Sequence, residues 1–125
     1  MAQGLKSDSM TIQQAEKLAQ DYCTAYGVEY SDLSQFKTSK KVRKIRGVRV
    51  DFMRMALSYY LRSMGFPWRK SGILAGYAGH STIKLNWGYI GEMIQNKDGC
   101  FYPYWLGLMA IVDRGNTYQH LKEVA

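Results

Sequence analysis

The chain has 125 residues, enough for one domain with a real core and little more. An apolar fraction of 46% excludes a disordered polypeptide. The formal charge of +7 points to an acidic partner: nucleic acid, an anionic surface or an acidic protein.

Residues 1–10 read as a polar leader without the apolar segment of a signal peptide. Thr11 and Gln14 match a capping box, and Ile12, Ala15, Leu18, Ala19, Tyr22, Cys23 and Tyr26 recur along one face of a helix that Gly27 would stop. Residues 28–36 form a connector with one helical turn after Ser31 or Asp32. From Lys37 to Arg49 the composition shifts: Lys37, Lys40, Lys41, Arg43, Lys44, Arg46 and Arg49 place 7 basic residues in 13 positions. Mutual repulsion predicts a loose or weakly helical segment. A solvated linker does not need so many cations. Contact with phosphates or a minor groove, releasing condensed counterions, is the expected role of Lys40, Lys41, Arg43, Lys44, Arg46 and Arg49.

Val50 to Met64 reads as a helix with Val50, Met53, Leu57, Tyr60, Leu61 and Met64 on one face. Gly65 ends it, and Pro67 suits the first position of a short helix reaching Ala75. Within that helix Gly72 marks a close approach of another backbone, Trp68 is expected in the core, and Arg69 and Lys70 could meet phosphate. After the small turn at residues 75–79, a third helix runs from His80 to about Gln95 with Ile83, Trp87, Ile90 and Ile94 as its buried stripe. That leaves His80, Ser81, Thr82, Lys84 and Asn86 as candidates for the outward side, although Ser81 or Thr82 could equally be helix caps.

Asn96 to Gly99 is a turn. Pro103 can open a helix that is apolar nearly all round, hence buried, and that Gly115 would end; Thr117 to Val124 would be a last short helix. The 101–112 segment either closes the core or forms a homodimer or protein-partner face. The longest apolar run, Trp105 to Val112, is too short to span a bilayer, and no amphipathic helix with large apolar anchors accompanies the basic run, so no membrane association is expected.

Cys23 and Cys100 lack metal-ligand spacing and the two histidines, His80 and His120, are far apart in sequence, so no metal and no cofactor is expected. Both thiols are expected to be buried and free, with a single disulfide as the alternative. Free thiols and seven methionines fit a reducing cytoplasm. There is no nucleophile beside a base and no paired carboxylate, and Asp51, Glu92 and Asp113 are scattered; an enzyme is not expected.

Taken together, the elements predict an all-α domain of five or six helices around a helix-turn-helix spanning residues 50–96, flanked by the N-terminal helix and connector (1–36), the basic run (37–49) and a C-terminal helical extension (100–125). In a helix-turn-helix the start of the second helix touches base edges in the major groove. The expected partner is therefore double-stranded DNA.

Positions 49–94 also carry a likeness. Arg49, Met55-Ala56-Leu57, Phe66-Pro67, Ser71-Gly72, Gly76 and Ala78-Gly79-His80-Ser81-Thr82-Ile83 follow one another in an order that resembles the C-terminal DNA-binding domain of the bacterial replication initiator DnaA. That family shows a basic loop ending in Arg, an M-A-L helix, a Leu-Pro turn, a glycine motif and the signature R-D-H-T-T-V. The resemblance implies Arg49 in a minor groove, Phe66 and Pro67 near a phosphate, and His80, Ser81 and Thr82 reading bases. Two departures stand out: two residues are inserted between Pro67 and Gly72, and Ala78-Gly79 replaces the Arg-Asp pair, which implies a different target sequence. No GxxxxGK[ST] loop is present, so the ATPase of that initiator has no counterpart. The resemblance implies a regulator or origin binder of a phage, plasmid or mobile element, acting in a bacterial cytoplasm or nucleoid or in an infected host. An adaptor using the apolar 101–112 segment is the alternative.

Overall fold

Helix α1 (Ile12–Ala25) opens the described chain, followed by a single turn, α2 (Tyr30–Ser34). In this computed structural model the backbone is described for residues 10–34 and 44–124, and side chains for 10–33 and 44–114. A two-stranded antiparallel hairpin, β1 (Lys44–Ile45) and β2 (Val48–Arg49), leads directly into α3 (Val50–Ser63). Then come α4 (Trp68–Leu74), α5 (Ser81–Gln95) and α6 (Tyr102–Val124). The fold is all-α, with that hairpin as its one small sheet among the described residues.

Helix α3 is the axis. It packs against α2, α4, α5, α6 and β1, while α1 lies across α6 and touches α2 and α4. Its buried residues are Val50, Met53, Ala56, Leu57 and Leu61, together with two polar ones, Arg54 and Ser58. A helix enclosed on several sides presents more than one buried stripe, so the single-face reading missed Arg54 and Ser58. Arg54 is buried and donates from Nε to the Leu33 carbonyl at 2.6 Å, which ties α2 to the central helix.

The turn between α4 and α5 is set by two backbone contacts. A Cβ at Gly72 would collide with the Gly79 carbonyl oxygen and sit 3.0 Å from Ile83 Cδ1. Gly76 has φ +104, and a Cβ there would stand 2.8 Å from the Leu33 backbone. Leu33 therefore lies on the turn while Arg54 holds it from below. The Gly72 carbonyl accepts from Tyr77 N at 2.9 Å, and the Leu74 carbonyl accepts from the Tyr30 hydroxyl at 2.8 Å.

Several expectations are met in detail. The Thr11–Gln14 capping box forms, with reciprocal bonds of 3.1 and 2.8 Å. Ala15, Leu18, Ala19, Tyr22 and Cys23 are buried, whereas Ile12 is exposed and Tyr26 half-buried. Others need correcting. Residues 44–49 of the basic run form the hairpin, whose Arg46-Gly47 turn has positive φ at both positions (50 and 84), the requirement of a type I′ turn. Pro67 caps α4 rather than opening it. Helix α6 continues through Gly115 to Val124 in place of two helices. It is not buried all round: Leu108, Ile111 and Val112 are buried, as is Phe101 just before it, whereas Pro103, Leu106, Ala110, Asp113 and Arg114 are exposed. Cys100 is exposed, in the turn where Asp98 accepts from the Cys100 and Phe101 backbone amides. Both thiols are free.

The Gly72 contact has a measurable consequence. Gly72→Ala forces α4 away from the start of α5, and overpacking against backbone costs about 1–3 kcal/mol or more. The variant should melt lower than the parent by on the order of 10 °C. Thermal and urea unfolding curves that coincide with the parent's would show that the two segments do not meet as described.

Candidate nucleic-acid interface

Helix α5 lies against α3, α4 and α6 through one side only. Ile83, Ile90 and Met93 are buried, and Trp87 and Ile94 are half-buried rather than enclosed. The other side carries Ser81, Lys84, Leu85, Gly88, Tyr89 and Glu92, all exposed. Their spacing of i, i+3, i+4, i+7, i+8, i+11 makes one continuous outward stripe along the helix.

The packed side is held by a row of aromatic rings crossing four helices. Trp68 of α4 meets Trp87 of α5 edge to face, with centroids 5.1 Å apart. Trp87 stacks on Tyr59 of α3 at 4.1 Å, and Tyr59 meets Trp105 of α6 at 5.9 Å. Trp68 is thus half-buried, not fully in the core. Its outer face carries cations: the Arg62 guanidinium lies 4.5 Å from the ring centroid and the Lys84 ammonium 5.8 Å. A Cβ at Gly91 would come within 3.2 Å of Tyr59 Oη, so the small residue there serves the packing.

The residues expected to read bases divide. His80 occupies the N-cap position without a side-chain capping bond and is exposed. Ser81 and Lys84 are exposed on the stripe. Thr82 and Asn86 are half-buried on its flank. The stripe also presents three residues that reading the sequence passed over, Leu85, Gly88 and Tyr89. The helical period that located the buried isoleucines also locates these when it is counted from the opposite side.

Of the residues expected at phosphates, Pro67, Arg69 and Lys70 are exposed at the first turn of α4, and Lys44 is exposed on β1. Arg46 is exposed but donates to the Gly27 carbonyl at 2.8 Å. Arg49 is engaged twice. Its Nε and terminal nitrogen donate to the two Asp51 carboxylate oxygens at 2.9 and 2.7 Å, and its guanidinium lies 3.8 Å above the Phe52 ring. The bond from Asp51 pushes the Arg49 pKa above its ordinary value. Lys40, Lys41 and Arg43 lie outside the described residues.

Charge is distributed unevenly along the chain. No Asp or Glu occurs between Asp51 and Glu92, and that interval carries Arg54, Arg62, Arg69, Lys70 and Lys84. With Arg54 buried, the remaining cations lie on or beside the helix-turn-helix surface with no carboxylate among them until Glu92 at the far end of the stripe. The exposed Arg69, Lys70 and Lys84 can attract polyanions.

Among the described residues no group of three His, Cys, Asp or Glu could hold a metal ion, and no helix is long and apolar enough to cross a membrane. Most apolar side chains of the 101–112 segment turn into the core, leaving Leu106 as its large exposed one. Comparison with family models, with curated proteins and with solved structures found no match.

Gly88 stands apart from the other interior glycines. A Cβ there would meet nothing within 4 Å, and its φ is not positive. Glycine inside a helix costs roughly 1 kcal/mol relative to alanine. Nothing in the fold requires that cost.

The buried ionisable groups belong to the core rather than to this surface. Burial, reinforced by the charge of Asp32, pushes the Cys23 thiol up from 9.0 to about 12. Burial also raises Tyr22 and Tyr77, and for Tyr77 the neighbouring Arg54 offsets part of the effect. A group whose folded pKa is raised contributes stability below its unfolded value and loses it as pH climbs through the folded one. For Cys23 that window runs from 9.0 to about 12. Urea midpoints should hold steady to pH 9 and then fall. A thiol reagent at pH 8 should label Cys100 in the native protein and Cys23 only after denaturation. Equal labelling rates in the native protein would contradict the burial of Cys23.

Proposed function

We propose that the chain binds double-stranded DNA, laying the outward stripe of α5 in the major groove and gripping backbone phosphates with Arg69, Lys70, Lys84 and the basic segment that ends in the hairpin. The observation that carries this reading is the stripe itself: a helix locked by aromatic packing on one side, uncovered on the other, that begins inside a 40-residue interval without a carboxylate and meets its first one at Glu92. Phosphate contacts would supply affinity and register, and side chains on the stripe would supply selectivity. His80 and Ser81 at the start of α5 hold the positions from which a recognition helix reads bases, with Thr82 and Asn86 reaching in from the flank.

By its resemblance to the DNA-binding domain of DnaA, the chain would serve as a regulator or origin binder of a phage, plasmid or mobile element. Its target differs from that family's usual box, because Ala78-Gly79 stands where the family has Arg-Asp. The Asp51 clamp makes Arg49 a residue that must exchange its partner before it enters a minor groove.

Selection from a random duplex pool, followed by affinity measurement at two salt concentrations, tests the proposal. A recurring motif should emerge, and log K should fall with log salt at about 0.9 per neutralised phosphate. Arg69→Ala, Lys70→Ala and Lys84→Ala combined should weaken all duplexes and reduce that slope by roughly 2–3. His80→Ala should instead relax selectivity by roughly 1–3 kcal/mol at one position. Absence of duplex binding at low salt would overturn the reading.

A further inference from the structure

Leu85 is 84% exposed, and Tyr89 on the next turn is 55% exposed. Both lie on the outward stripe of α5, with Gly88 between them and Lys84 alongside. The middle of the stripe, between Lys84 and Glu92, is therefore apolar, and at Gly88 it is also bare of any side chain. The fold accounts for neither feature: Leu85 packs into no core, and the space above Gly88 is open.

Resting on the duplex-binding reading, we infer that Leu85 and Gly88 form a thymine-reading element that takes the 5-methyl group of thymine in the major groove. The occupant must be apolar where it meets Leu85 and anionic beside it, because Lys84 adjoins Leu85 on the stripe and Arg69 and Lys70 are exposed on the neighbouring α4. Duplex DNA has that pattern. Its two phosphate strands flank a groove whose floor presents donors, acceptors and one apolar group, the thymine methyl. Leu85 follows Ser81 by one helical turn, still toward the N-terminal end of α5, the end by which a recognition helix contacts base edges. Gly88, one turn further on, lets the helix backbone approach that floor without a Cβ in the way. The polar residues His80 and Ser81 can read donors and acceptors; Leu85 cannot, and so adds a different kind of selectivity.

The test uses the full chain and the best duplex from the selection above. Each thymine in turn is replaced by deoxyuridine, which lacks only the methyl. At one or two positions the parent should lose about fourfold in affinity, the worth of one methyl group withdrawn from water. Leu85→Ala should bind the thymine and deoxyuridine duplexes equally. Gly88→Ala should melt no lower than the parent yet bind the selected duplex at least tenfold more weakly. Selective duplex binding with deoxyuridine tolerated everywhere, or a thymine preference that survives Leu85→Ala, would overturn the inference and leave the duplex-binding reading standing. Unchanged duplex affinity in both variants, with a change in sedimentation instead, would assign the stripe to a protein contact and also overturn it. If the parent bound no duplex, the broader reading would fail first and this one with it.

Discussion

Two places where backbone meets backbone govern the α4–α5 unit. Gly72 lets α4 settle onto the Gly79 peptide, and Gly76 lets the Leu33 peptide settle onto the turn. Neither approach tolerates a side chain, and together they define the angle at which α5 leaves α4. Interiors are packed too tightly for such an angle to drift continuously, so the direction of α5 follows from two missing methyl groups. Arg54 completes the bracket. A buried guanidinium is costly without hydrogen bonds, and here one of them holds the Leu33 carbonyl on which Gly76 rests. The direction of the outward stripe is thus decided in the core, well away from the residues that form it.

This separates what stabilises the domain from what it presents. The aromatic row Trp68–Trp87–Tyr59–Trp105 spans α4, α5, α3 and α6 and fastens α5 along one side. Such rings bury large areas, and paired geometries add a further ~0.5–1.5 kcal/mol each. The opposite side of α5 contributes almost nothing to folding. Leu85 is in water, Gly88 weakens the helix, and Lys84 lies over the Trp68 ring at 5.8 Å from its centroid. A face that departs from what the fold would favour is where function is expected to lie, because consistency between local and global preference is otherwise the rule.

Much of this architecture was legible before any coordinates. Thr11 and Gln14 announced their capping box, the 3.6-residue period located α1, α3 and α5, and Gly72 read correctly as a close approach. What escaped was whatever depended on tertiary surroundings. Arg54 and Ser58 are polar, and only a helix enclosed on several sides buries them. Gly115 looked like a terminator, yet α6 continues through it to Val124, because a glycine weakens a helix without breaking it when other turns propagate. The hairpin at 44–49 was hidden by charge: repulsion among the cations argued for a loose segment, while Arg46-Gly47 supplied the two positive φ angles of a tight turn. On the surface, polarity steered attention to His80, Ser81 and Thr82 and away from Leu85, since an apolar residue on a helix is ordinarily assigned to the core.

The hairpin changes how the basic run can act. A loose cationic segment would have to be ordered on binding, at a cost of about 1–2 kcal/mol per residue in backbone entropy. Residues 44–49 are already ordered: β1 and β2 pair in register, Arg46 bonds the Gly27 carbonyl, and Arg49 N donates to the Tyr104 hydroxyl at 2.9 Å. The last of these joins the hairpin to α6, and Asp51 and Phe52 join the Arg49 side chain to α3. The end of the basic run is therefore anchored to the same helix that positions α4 and α5. Cations on the hairpin and cations beside α5 belong to one body, so a polyanion that engages both meets charges whose separation was determined when the chain folded.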